Sequence, residues 1–128
     1  MGAPFFLNLD QVVRLHGELV ERYGGIDGTR DIGLLHSAIA MPQASYGGDY
    51  LHADIYEMAA AYLYHIVQDH PFLDGNKRTG AAAAIVFLAI NGTEVDADEE
   101  GLVALTLSVA DGKCGKKEIA EFFRTRSH

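Results

Sequence analysis

The chain has one cysteine, Cys114, and no tryptophan. A single cysteine excludes an internal disulfide and points to a reducing compartment. Cations are scarce: 10 Lys and Arg stand against 18 Asp and Glu, a formal net charge of −8. That deficit excludes a general nucleic-acid binder, because phosphate contacts need Lys and Arg in number. No apolar run is long. The longest, Ala81 to Ile90, is far short of a membrane span. Met1 to Leu7 has no basic n-region and only a short apolar run, so it does not read as a signal peptide. There are only three prolines, and no repeat, low-complexity tract or Pro/Ser-rich linker is present. The expectation is a single cytoplasmic domain over residues 1–128, with no membrane segment and no direct nucleic-acid binding.

What is present is helical periodicity. Asn8, with Gln11 three residues later, has the form of a capping box, and Gly24-Gly25 supplies a stop, so a first helix is expected from about Leu9 to Tyr23. Val12, Leu15, Leu19 and Val20 share its inward face; His16, beside that stripe, reads as a packed or partly exposed histidine and not a ligand. Asp31 can cap a short helix to about Met41, with Leu34, Leu35, Ala38 and Ile39 inward and Pro42 ending it. Between Gln43 and Ala53, Gly47-Gly48 lies among Tyr46, Asp49 and Tyr50, the chemistry of a loop or small hairpin that can serve as a flap. Ile55 to Asp69 keeps helical spacing, and Pro71 moves His70 out of the α region. Thr79 to Asn91 is apolar nearly all round, the mark of a central buried helix, and its five alanines permit close helix approach. A short extended piece at Glu94–Asp96 and helices at Asp98–Ala110 and Lys116–Arg126 complete an all-α bundle of about six helices. Cys114 reads as a small buried residue.

The chemistry concentrates in the run His70 to Gly80, which reads as helix end, tight loop and helix start. A polar loop at a helix N-terminus holds phosphate well, because unpaired N–H groups and the positive dipole end face the anion. His70 can accept a proton from a hydroxyl, although a helix C-terminus favours the imidazolium. Asp74 is an oxygen ligand suited to Mg²⁺, which takes one carboxylate plus substrate phosphates. Gly75 permits a tight turn. Asn76 can cap the next helix or orient a phosphate oxygen. Lys77 and Arg78 can neutralise developing phosphoryl charge; cations at a helix start otherwise oppose the dipole. Phe72 reads as a core anchor.

At these residues the chain resembles the Fic/Doc superfamily, whose usual pattern is His-x-Phe-x-Asp/Glu-Gly-Asn-Gly-Arg-x-x-Arg. Here it reads HPFLDGNKRTGA, with Lys77 in place of the second glycine and Ala81 in place of the last arginine. Both departures are similar to the Doc, or death-on-curing, branch. RYGG at Arg22–Gly25, LLHSAIAMPQ at Leu34–Gln43, FLAING at Phe87–Gly92 and ALTLSVADG at Ala104–Gly112 extend the likeness.

The resemblance implies a six-helix fold and ATP-dependent transfer to a protein hydroxyl, with Mg²⁺ as cofactor. For the Doc branch it implies a toxin kinase whose target is a threonine of elongation factor Tu, blocking translation. It also implies an antitoxin partner, a segment of which covers the active-site groove. The expected roles are His70 as base, Asp74 as metal ligand, and Gly75, Asn76, Lys77 and Arg78 as the phosphate site, with Tyr46 to Tyr50 (Gly47, Gly48 and Asp49 between) aligning the target. AMP transfer, as in the wider superfamily, and a non-catalytic partner-binding module are the alternatives.

Overall fold

A computed structural model describes residues 3–128, so the reading of the first two residues lies outside it. Its element order matches the periodicity. α1 spans Leu9–Tyr23 and begins at the expected box: Asn8 accepts from the Gln11 N–H at 2.9 Å, and the Gln11 side chain accepts from the Asn8 N–H at 2.8 Å. α2 spans Ile32–Ala40 under an Asp31 cap. Its path continues as a 3-10 turn, Met41–Gln43, so Pro42 sits inside the next turn rather than terminating the chain's helical course; a first turn has no use for the missing N–H. The loop that follows is a true hairpin. β1 (Ser45–Tyr46) and β2 (Asp49–Tyr50) pair antiparallel, Ser45 opposite Tyr50 and Tyr46 opposite Asp49, across Gly47-Gly48.

α3 (Ile55–Asp69) and α4 (Asn76–Ile90) form the centre, followed by α5 (Glu99–Ala110) and α6 (Lys116–Thr125). α4 starts earlier than the apolar pattern indicates and includes Asn76, Lys77 and Arg78 in its first turn. Their polarity masks the helix because they face outward or back into the loop, while Thr79 and Gly80 begin the buried face. α3 packs against α4, α6 and α2. Ala59, Ala60, Ala61, Ala83 and Ala84 are fully buried, and small residues bring the two central helices close. Gly80 marks the tightest point: a Cβ there would stand 2.9 Å from Val67 Cγ2 and 3.1 Å from the Leu63 carbonyl oxygen.

The extended segment 94–96 pairs with the C-terminal residues, Glu94 exchanging backbone bonds with His128 and the Asp96 N–H donating to the Arg126 carbonyl. Cys114 is half-buried rather than buried. No described helix is long and apolar enough to cross a membrane.

Candidate active site

The connection between α3 and α4 is six residues of loop, His70 to Gly75. The helix ends where Pro71 requires, yet His70 does not relax into the extended region usual before proline. It is left-handed, at φ 50 and ψ 53, and no other non-glycine residue among those described has positive φ. Such a conformation costs a non-glycine residue roughly 1–2 kcal/mol, so neighbouring structure must impose it.

The neighbouring structure is the loop after α1. Arg30 Nε donates to the His70 carbonyl at 2.6 Å and Nη2 to the Asp69 carbonyl at 3.0 Å. The Arg30 and Asp31 N–H groups both donate to the Pro71 carbonyl, and the Leu73 N–H donates to the Gly28 carbonyl. Phe72 is buried as expected, with the His16 ring stacked on it at 3.9 Å and 5°. His16 is itself buried, and its Nε2 lies 2.7 Å from the Asp74 carbonyl oxygen. A carbonyl only accepts, so Nε2 carries the proton and donates; Nδ1 faces Asp27 at 3.6 Å. His16 is thus a packed histidine that props the loop.

Asn76 is the one predicted site residue whose side chain points away from a ligand role. It is 8% exposed, its Oδ1 accepts from the Phe72 N–H at 2.9 Å, and its Nδ2 donates to the Phe72 carbonyl at 3.1 Å. It does not cap α4. The cap is Gly75, left-handed at φ 77, with no side-chain hydrogen bond to the helix start. A β-carbon at position 75 would be strained by that φ and would also meet the His16 ring at 3.6 Å. The first N–H groups of α4, those of Asn76, Lys77 and Arg78, are therefore left for another acceptor.

Asp74 lies beside this opening. Its Oδ1 accepts from the Gly75 N–H at 2.9 Å and its Oδ2 from the Ile26 N–H at 3.2 Å. Each carboxylate oxygen has two lone pairs, so one remains free on each. Among the described residues no three His, Cys, Asp or Glu side chains gather to hold a metal ion. The donor set fits a cation taken by one carboxylate and completed by phosphate oxygens, the habit of Mg²⁺.

Lys77 and Arg78 are exposed and form no ion pair among the described residues. The Arg78 guanidinium lies over the Tyr23 ring, 4.4 Å from its centroid, which fixes its stem at the end of α1. Ala81, one turn on, is half-buried and packed against the core. The segment 70–78 thus joins a histidine, a carboxylate, two cations and an open helix N-terminus.

The hairpin is a separate feature. Tyr46, Gly47, Gly48, Asp49 and Tyr50 are exposed. Tyr50 packs on Phe6 at 5.6 Å, and His52, just beyond, meets Lys116 of α6. No hydrogen bond or ion pair among the described residues ties the hairpin to segment 70–78. Sequence reasoning missed the part played by Arg30. Nothing local in Gly28-Thr29-Arg30 indicates a partner forty positions away in the chain.

The family model described as "Fic/DOC family" matches residues 6–88, which contain α1 to the end of the motif helix's buried face. The chain is similar to "Protein kinase doc" of Escherichia phage P1, at 33% identity over 115 residues, 90% of each chain. It is also similar to "Toxin Doc" of Mycolicibacterium smegmatis (strain ATCC 700084 / mc(2)155), at 45% identity over 76 residues, 59% of this chain and 58% of that protein.

Proposed function

The chain belongs to the Fic/DOC family, and from that premise we propose that it is a toxin of a toxin–antitoxin pair that phosphorylates a protein hydroxyl with ATP. The observation that carries the proposal is the α4 start: a helix N-terminus with no side-chain cap and with Lys77 and Arg78 in its first turn, at the end of the short loop that His70 begins. An anion at that place offsets the repulsion between those cations and the helix dipole.

In the reaction, His70 takes the proton of the target hydroxyl. The hydroxyl oxygen forms a bond to the terminal phosphorus of ATP, the bond from that phosphorus to the bridging oxygen breaks, and ADP leaves. The Asn76, Lys77 and Arg78 N–H groups and the two side-chain cations hold charge on the transferred phosphoryl group. Asn76 contributes its backbone to that nest, while its side chain keeps Phe72 and the loop in shape. Asp74 would hold Mg²⁺, which when bound would supply charge neutralisation on the nucleotide phosphates. Lys77 and Ala81 favour phosphoryl over AMP transfer. A compact cation sits at the nest, and the half-buried Ala81 offers no clamp for the far end of a triphosphate.

The target we propose is a threonine of elongation factor Tu, with the hairpin 45–50 aligning the target segment. The partner is an antitoxin, a segment of which covers the groove by the loop; both come from the family resemblance. The test is incubation with a cell extract and ATP labelled at either the α or the γ phosphate. Transfer of γ label to one band of the target's size is the expected result. Retained α label means AMP transfer and overturns the choice of reaction. Tight antitoxin binding with no label transferred from either position favours a binding module.

A further inference from the structure

Three consecutive carbonyl groups at the end of α3 are bound by one residue. Arg30 Nη2 takes Asp69, Arg30 Nε takes His70, and the Arg30 N–H takes Pro71 at 2.7 Å. The middle carbonyl belongs to the single left-handed non-glycine residue among those described. We infer that Arg30 is a positioning residue for His70, holding its backbone in the left-handed conformation and so fixing the direction in which the imidazole leaves the chain.

Two facts make such a device necessary. Pro71 closes the α region to His70 and leaves extended backbone as its resting state. Glycine, which usually fills a left-handed helix end, is absent there because the position carries an imidazole. A rigid fork resolves the conflict. The guanidinium presents donors in a fixed plane, so the carbonyls of Asp69 and His70 can both be met only when the peptide between them and the one after His70 are turned as they are here. The backbone bond to Pro71, doubled by the Asp31 N–H at 3.0 Å, closes the other side. Arg30 is also exposed. Water competes for those carbonyls, so its contribution is to direction more than to stability.

The inference rests on the reading of His70 as proton acceptor, and its test separates the two. Crystal structures of Arg30→Ala and of the unaltered protein report the φ of His70 without reference to any reaction. The expected result is that His70 leaves the left-handed region for extended backbone in Arg30→Ala. Under the proposed reaction, kcat then falls by about tenfold to a hundredfold, the scale of a small misplacement, while KM for ATP stays within about twofold. Tm shifts only a few degrees, and added methylguanidinium restores part of kcat. Arg30→Lys keeps the charge but not the fork, and is expected to fall between; it carries the same comparison should Arg30→Ala not fold. An unchanged φ, or a changed φ with unchanged kcat, overturns the role. Absence of phosphoryl transfer by the unaltered protein counts against the reaction, and the φ comparison then judges Arg30 by itself.

Discussion

The two sides of α3 treat charge in opposite ways. On one side, where α3 meets α6 and the end of the hairpin, several charged groups are engaged by neighbouring side chains. Asp54 caps α3 through the Glu57 N–H at 2.9 Å and pairs with Arg124 at 2.9 Å. Lys116 places its ammonium 3.4 Å from His52 Nε2 and 3.1 Å from His65 Nε2. On the other side, where α3 turns into α4, two cations stand at the positive end of a helix dipole with no carboxylate among the described residues paired to them, and a histidine is held off its preferred backbone. The first side is arranged for folding. The second is costly as it stands, and under the proposed reaction a bound phosphate offsets that cost.

That contrast predicts a double dissociation. Removing groups at the α4 start lowers activity and leaves the fold; removing groups on the α6 side lowers stability and leaves activity. The largest effect is expected from His70→Ala. Loss of a general base costs about 10²- to 10⁴-fold in rate, measured as γ-phosphate transfer, with far-UV circular dichroism and Tm close to the unaltered protein. A folded His70→Ala protein that still transfers phosphate at full rate removes His70 from the chemistry and breaks the contrast at its centre.

Lys77→Ala comes next and is the sharper probe, since stability and activity should move in opposite directions. Transfer falls by about 10²- to 10³-fold if the ammonium stabilises phosphoryl charge. Stability to urea rises by a few tenths of a kcal/mol to about 1 kcal/mol, because a cation opposing the dipole is gone. A parallel loss of both would make Lys77 an ordinary structural residue.

The two sides also differ in how much of them the sequence discloses. Capping chemistry is local, so Asn8 with Gln11 and Asp31 mark two helix starts correctly. The α3 end at His70 and the hairpin at Gly47-Gly48 are legible for the same reason. The α4 start is misplaced because Asn76, Lys77 and Arg78 look like loop until Gly75, left-handed and with no side chain, is recognised as the cap. The Asn76 amide looks available until its two bonds to Phe72 are seen. The least legible parts rest on contacts between distant segments: Arg30 on the α3 carbonyls, His16 on Phe72 and Asp74, and Lys116 between two histidines. Residue type and spacing say what a side chain can do, and only the fold decides which groups it meets.

pH acts on the α6 side. An ammonium only donates, so both Nε2 atoms accept and both imidazoles are neutral. Burial first, then Lys116 and His52, push His65 down from 6.5 to about 4. Burial and Lys116 also lower His52, against a smaller opposing pull from Glu57. His65 further faces Asp69 at 4.0 Å, and the Lys116 ammonium lies near the Tyr64 ring. The sign follows from proton counting: below 6.5 the unfolded chain takes up protons that the folded one refuses. Stability is therefore full above 6.5 and is lost as pH falls toward about 4. Calorimetric Tm against pH reads this directly. Lys116→Met should narrow the window by letting both histidines titrate nearer their ordinary range, and a flat Tm across it would show that the cluster contributes nothing.

The smallest effect is the control on which the comparison depends. Asp54→Ala removes a helix cap, worth about 1 kcal/mol, and one partner of an exposed ion pair, worth little by itself. Arg124 keeps its second contact, to Glu121 at 2.9 Å, so the loss should stay near the cap term. The cap lies at the opposite end of α3 from His70, and the intervening helix is packed on several sides, so fraying at the first turn has no path to the loop. Urea unfolding should show the loss with an unchanged m-value, and kcat and KM for ATP should stay as they were. If kcat fell with the cap, the two sides of α3 would be coupled through the helix, and the paired charges around α6 would belong to the active site's support after all.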